Sequence, residues 1–433
     1  MNSEVSRLAV PIMLSVTADS ILSLASLISV SKLSTADIAA VGLASYLFFI
    51  VNAVTAIFTG GVMVTVSQAL GAGKRDLAKR VVSESLSLSI IFASLLVISS
   101  QLWLKGYLYA ASQGNPDVIE GGYVYSSTRF LSLPALMVNA VLSALYRSTD
   151  HPWPTAANSL ISAAVGIAAI PLFTLGFEGF DGLGIGGAGL ASALASYAGL
   201  AAYFVWPPPF KLRLKPPGKL ALKVILVGLP IASERIVASV AQNIYVNAVA
   251  KSGTAALAAH NIGLTVEGLV IQPSFAVSMA ALVKTGQDIG SGDLDRADYL
   301  VKESVKIGAT WMGLAAVILA AFSPFAGWFF TKDERVASLT AIYLLLAAAS
   351  EVGLGISQAF FGAIRGMGSV WLPFVVSSFT VVFLRALPAQ ILSASYGVVG
   401  AWVTQNTDMY GRAILAFLAW KLVGTHKLAK KII

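Results

Sequence analysis

Five carboxylates sit inside stretches of chain too apolar to solvate them: Asp19, Glu234, Glu267, Glu351 and Asp408. An ionised carboxylate at the centre of a bilayer costs roughly 2.5–3.5 kcal/mol on insertion scales, so each is a functional candidate by default. Away from water the neutral form of a carboxyl gains ground, which lets such a group take up and release a proton near neutrality. An unprotonated pair can instead hold Na+ with neighbouring carbonyl and amide oxygens. Each acid also has a structural reading. Glu234 can pair with Arg235 or another base, Glu351 can pack at a boundary, and Glu267 can merely line its helix. Asp408, beside Gln405 and Asn406, can join helices, and Asp19 can be a satisfied polar residue in the cytoplasmic third of its span.

The elements that position these acids are long apolar helices. Of 433 residues 57% are hydrophobic and 12% charged, and mean hydropathy is +0.79, too apolar for a chain dissolved in water. Apolar runs long enough to cross a hydrocarbon core of about 30 Å are expected near 8–30, 38–66, 81–104, 122–146, 153–175, 183–206, 220–249, 256–284, 302–330, 337–364, 370–394 and 397–422. The fold class is therefore all-α integral membrane, with twelve transmembrane helices. Met1 to Arg7 lack the pattern of a cleaved signal, so the first span reads as retained. There is no cysteine, which removes disulfide and thiol chemistry. His151, His260 and His426 are far apart and read as structural, so no metal site is expected. With a cytoplasmic N-terminus, twenty of the 29 Lys and Arg fall in inside segments and five outside, while Arg129, Arg235, Arg385 and Arg412 lie within spans. The +8 formal charge is thus a topology signal placing both termini in the cytoplasm, with no nucleic-acid partner implied.

Self-similarity organises the chain. At an offset of 219, Pro11 falls on Pro230, Lys32 on Lys251, Gln68 on Gln287, Gly71 and Gly73 on Gly290 and Gly292, and Glu84-Ser85 on Glu303-Ser304. At 218, Arg147 and Trp153 meet Arg365 and Trp371; at 213, Gly184 and Gly187 meet Gly397 and Gly400. Six spans per half predict parallel repeats in two six-helix bundles, 1–206 and 220–433, joined by the Pro-rich basic linker 207–219.

The chain resembles the multidrug and toxic compound extrusion (MATE) transporters in Leu8-Ala9-Val10-Pro11, Gly71-Ala72-Gly73, Gly228-Leu229-Pro230, Ala258-Ala259-His260, Arg365-Gly366-Met367-Gly368 and Gly397 to Trp402. The resemblance covers nearly the whole chain. It implies two bundles exporting organic cations or amphiphiles in exchange for inward H+ or Na+, with no other cofactor and no enzymatic step. It also implies a multi-pass protein of the cell membrane, working as a monomer. Glu234 follows Pro230 by four residues, where many members carry a glutamate on the seventh helix, so Glu234→Gln is expected to abolish coupling. Glu351 lies 14 residues before Arg365, near an acid of the tenth helix in some members. The first half departs from the pattern. The usual first-helix aspartate, four residues before Val30, is Ser26, and the fifth-helix aspartate is Ile170, so Asp19, two turns before Ser26, reads as a relocated acid.

Polar groups that could face a substrate cavity are Asn139, Asn243, Tyr245, Asn247, Asn261, Gln272, Gln358 and Ser26, although single amides in membrane helices more often join neighbours. Arg385 resembles a family arginine and reads as a counter-charge; Pro171, Pro230, Pro273 and Pro388 are candidate kinks. Gly182-x-Gly184-x-x-Gly187 copies a dinucleotide fingerprint as a string, but without a preceding strand its glycines read as close helix packing. Gly71-Ala72-Gly73-Lys74 is followed by Arg75 where a phosphate loop requires Ser or Thr. The alternative function is a flippase for lipid-linked oligosaccharides or lipids, which would call for a cationic cavity. A channel or receptor fits buried acids in a near-symmetric repeat less well.

Overall fold

A computed structural model describes residues 3–30 and 32–432, leaving the side chains of Leu24, Leu27 and Thr35 aside. Met1 and Asn2, the start of the segment read as lacking a signal, lie outside the described residues. The first half runs α1 (Glu4–Val30), α2 (Thr35–Gly71), α3 (Arg75–Ala111), α4 (Pro116–Phe130), α5 (Leu133–Ser148) and α6 (Trp153–Leu175). A two-stranded ribbon follows, β1 (Gly176–Phe177) antiparallel to β2 (Phe180–Asp181), then α7 (Gly184–Leu200) and the short α8 (Ala202–Val205). The second half runs α9 (Lys219–Ala250), α10 (Thr254–Val270), α11 (Gln272–Ser291), α12 (Leu294–Ala326), α13 (Glu334–Gly366), α14 (Trp371–Thr380), a π-helical turn (Val381–Ala386), α15 (Leu387–Val423) and α16 (Thr425–Leu428). The linker 206–218 carries neither helix nor strand.

Among the described residues nine helices are long and apolar enough to cross a membrane, or eleven when the bent pairs α4–α5 and α10–α11 each count as one span. Helices are what such a sequence must form, because hydrocarbon offers backbone N–H and C=O groups no other partner. Starts are capped where the chain leaves the apolar run: Asn115 accepts from Val118 N, Asp293 from Arg296 N at 3.0 Å, and Asp333 from Arg335 N and Val336 N. Stops use positive φ, at Gly73 (72°) after α2 and at its repeat partner Gly292 (87°) after α11.

Three expectations need correction. The spans expected at 122–146 and 256–284 are each two helices, bent by 43° and 41°. The bends have local causes: Pro134 and Pro273, both in a helical second position, lack the N–H that would continue the preceding helix. The first of these was not among the candidate kinks. The all-α class holds, with the ribbon Gly176–Asp181 closing the turn between α6 and α7, where Gly176 takes φ 84°. The reading of the Gly182–Gly187 string is corrected too: β2 ends at Asp181, directly before it, and of its three glycines only Gly187 packs closely on a neighbouring helix, against the Phe173 carbonyl of α6, while Gly182 abuts the ribbon turn and Gly184 meets nothing.

The chain packs into two compact units, one of Leu14–Val66 with Arg75–Gly228 and the other of the remaining described chain. The first has a core that includes Val30, Ala40, Ala44, Tyr125, Ile185 and Ala188. In the second, Tyr245, Leu319, Tyr343, Leu344 and Trp402 form one core and Phe360, Phe361, Ile364 and Met367 another. This unit also contains a near-symmetric crossing. A Cβ on Gly71 would lie 1.8 Å from the Gln287 carbonyl oxygen, and one on its repeat partner Gly290 2.1 Å from that of Gln68. The Gln68 amide then donates to Gly366 O at 3.0 Å and accepts from Ile432 N at 2.8 Å, fastening the chain's end to α13.

Candidate functional site

The second unit gathers three of the five acids around α13 and α15. Glu267, 9% exposed near the C-terminal end of α10, accepts hydrogen bonds from the Tyr343 hydroxyl and from Gln405 Nε2, the latter at 2.7 Å. Gln405 lies 3.2 Å from Ser350 Oγ and accepts from Arg385 Nη2 at 3.0 Å. Arg385 in turn lies 4.5 Å over the Tyr245 ring and 4.0 Å from Asp408. Asp408, fully buried, is gripped by Arg412 one turn along through two bonds of 2.7 and 2.6 Å. A sequence reason underlies the placing of Arg385. Pro388 supplies no N–H to Leu384 O, four residues earlier, and Thr407 Oγ1 donates to that carbonyl instead at 2.6 Å, holding the π-helical turn against α15.

Glu351 is the exception. It is 0% exposed on α13, and neither carboxyl oxygen has a hydrogen-bond partner among the described residues. It lies close enough to Glu267 for their charges to interact. The cluster therefore holds Glu267, Glu351 and Asp408 against Arg385 and Arg412, one carboxylate more than its guanidinium groups offset. A buried charge without a partner is costly, which sets Glu351 apart from the paired Asp408 and the hydrogen-bonded Glu267. The surroundings are aromatic: His260, fully buried, stands edge-on to Tyr245 and Tyr343, and Tyr343 packs against Trp402.

Glu234 stands outside this network, ion-paired to Arg365 at the end of α13 rather than to its neighbour Arg235. The repeat explains the pair. Arg147, which aligns with Arg365, is buried and donates to Ser15 Oγ at 3.0 Å, and Ser15 aligns with Glu234. Asp19, one turn beyond Ser15, lies near Arg147 and Ser159. Both halves thus keep an acid beside the same arginine, shifted by one helical turn in the first. This signal was available in the 218 and 219 offsets. Elsewhere the halves diverge: Tyr343 aligns with Tyr125, but Glu267 aligns with Phe48, and Arg129 donates to the Tyr125 hydroxyl while lying 4.3 Å over the Phe48 ring.

The candidate substrate residues scatter. Tyr245 is fully buried in the cluster and Gln358 is buried on α13. Asn139 accepts from the Tyr203 hydroxyl at 2.6 Å, in a unit where Tyr203 stacks on Tyr146. Asn243 bonds its own helix through Ser239 O, Gln272 at the start of α11 donates back to Gly268 O of α10, Asn247 and Asn261 are exposed, and Ser26 is half-buried on α1. Sequence reasoning did not single out Tyr343, Ser350 or Glu84. The last is a buried carboxylate that caps α9 by accepting from Leu220 N and Ala221 N at 3.2 Å.

The MatE family model matches residues 11–172 and again 230–391, two segments separated by the same 219 residues as the repeat. The chain belongs to the MATE family. Among its relatives, the probable multidrug resistance protein NorM of Thermotoga maritima is 27% identical over 400 residues, covering 87% of this chain and 83% of that protein. The probable multidrug resistance protein YoeA of Bacillus subtilis is 23% identical over 98% of this chain and 94% of its own length. A solved MATE structure described as the outward-facing conformation of a multidrug resistance transporter superposes with TM-score 0.91 at 20% identity, covering 98% of this chain and 96% of that one. The fold is the MATE fold, and this MATE protein is a multi-pass membrane protein of the multidrug efflux class.

Proposed function

We propose that this MATE protein is a secondary antiporter that exports organic cations or amphiphiles in exchange for H+ or Na+, and that the second unit carries the coupling ion. The surplus carboxyl of Glu351 supports this most: a buried group with no hydrogen-bond donor and no ion pair among the described residues is one whose charge a mobile ion can balance. Glu267, Gln405 and Tyr343 would pass the change in charge to Arg385 and Asp408 through the bonds that already link them. Counting Trp371–Val423 as two spans, divided where Gly397 leaves helical geometry (φ 62°, ψ −155°), supports a reading with twelve spans and both termini on one side, and the excess of Lys and Arg in the segments read as inside favours the cytoplasm for that side, in the cell membrane. The relatives' names as multidrug resistance proteins favour export over the flippase alternative. The test uses proteoliposomes loaded with a fluorescent organic cation. Efflux driven by an inward pH or Na+ gradient is expected, and efflux indifferent to both gradients would reject antiport.

A further inference from the structure

At the Gly253 end of α10, away from the acid cluster, a pocket of about 760 Å³ opens within the second unit, and it carries two basic side chains, Lys251 and Arg335. No carboxylate lines it. Lys251 gives one hydrogen bond to Gln390 Oε1 at 2.8 Å, which leaves further N–H donors, and neither Lys251 nor Arg335 lies within 4 Å of a carboxylate among the described ion pairs. The nearby Asp333 is occupied in capping α13. Ser252 and Ser338 also line it, together with the apolar Leu339 and Ile342. On the same stretch of α15 that lines the pocket, Ile391 and Tyr396 are 70% and 72% exposed. In a membrane protein those side chains face acyl chains or the headgroup boundary. The first half has no equivalent: Arg335 aligns with Asp117.

Two cations, two serines, apolar lining residues and neighbours exposed on the same helix match one chemistry, a phosphate attached to an apolar body. Arg and Lys both take phosphate oxygens, and a mouth partly shielded from water screens the attraction less. We propose that this pocket binds the phosphate headgroup of an anionic membrane lipid.

Native mass spectrometry of the full-length protein, released from detergent, would compare phosphatidylglycerol with phosphatidylcholine of the same acyl chains, and either with inorganic phosphate. Retained phosphatidylglycerol in preference to phosphatidylcholine is expected. Lys251→Gln and Arg335→Gln should each weaken it by about fivefold and together by about thirtyfold, on the usual worth of one basic side chain near an anionic lipid. Lys215→Gln, an exposed linker lysine, serves as the control and should change nothing. Thermal melting of the double variant in lipid-free detergent checks that it is folded. Equal retention of the two lipids, or wild-type retention by a folded double variant, overturns the proposal. Inorganic phosphate binding as tightly as phosphatidylglycerol would overturn the lipid assignment and make the site one for a soluble anion.

Discussion

Arg147 and Arg365 occupy the same register of the repeat, and each reaches across to the position four residues after a helix proline, Ser15 or Glu234. The Glu234–Arg365 pair is largely buried, its side chains 13% and 12% exposed. Removing one partner of such a pair leaves an uncompensated charge and costs about 3–5 kcal/mol, whereas removing both is often neutral. Glu234→Gln alone should therefore lower thermal stability markedly, and Glu234→Gln with Arg365→Gln should recover most of it. Gradient-driven transport by the stable double variant would then decide whether Glu234 couples ions or only braces α9. Chemistry-bearing positions were legible in the sequence because burial of charge is visible as a carboxylate in an apolar run. Their partners were not, since Glu234 chose Arg365 over the adjacent Arg235, and Glu267 proved the hub of a network that hydropathy alone cannot draw.

Elements obey the same rule of local cause and distant partner. The 219 offset anticipates Gly71 and Gly290 as equivalents, and each abuts a backbone carbonyl so closely that a methyl group cannot enter. Gly71→Ala or Gly290→Ala should therefore destabilise the protein by about 1–3 kcal/mol through overpacking. Gly268 is the contrast, a helical glycine where an added methyl would meet no neighbour within 4 Å. Gly268→Ala should be neutral or raise stability by up to about 1 kcal/mol, because alanine loses less backbone entropy in a helix. Melting temperatures of the three variants in one detergent test both statements. Span positions were readable from hydropathy and Pro273 as a candidate kink, while the bend at Pro134 was not. A proline marks where a helix can break, but whether it does depends on which neighbours donate to the freed carbonyl, as Thr407 does for Leu384 ahead of Pro388.

For the whole molecule, a repeated sequence has kept its frame and changed its chemistry. The family match falls on both halves with one offset, yet the acids cluster with Arg385 and Arg412 in the second, and the first sets Arg129 on aromatic rings where the second has Glu267. The divergence concentrates buried carboxylates in one unit and puts an aromatic ring at the matching position of the other. The central claim is that Glu351 is the group whose charge the coupling ion balances. It is tested most directly by Glu351→Gln in proteoliposomes, measuring accumulation of a fluorescent organic cation against its gradient alongside gradient-free exchange of the same cation. The account predicts that driven accumulation falls at least about tenfold, while exchange persists because the bundle and its other bonds are intact. Driven accumulation at the wild-type rate in the Gln variant would contradict it.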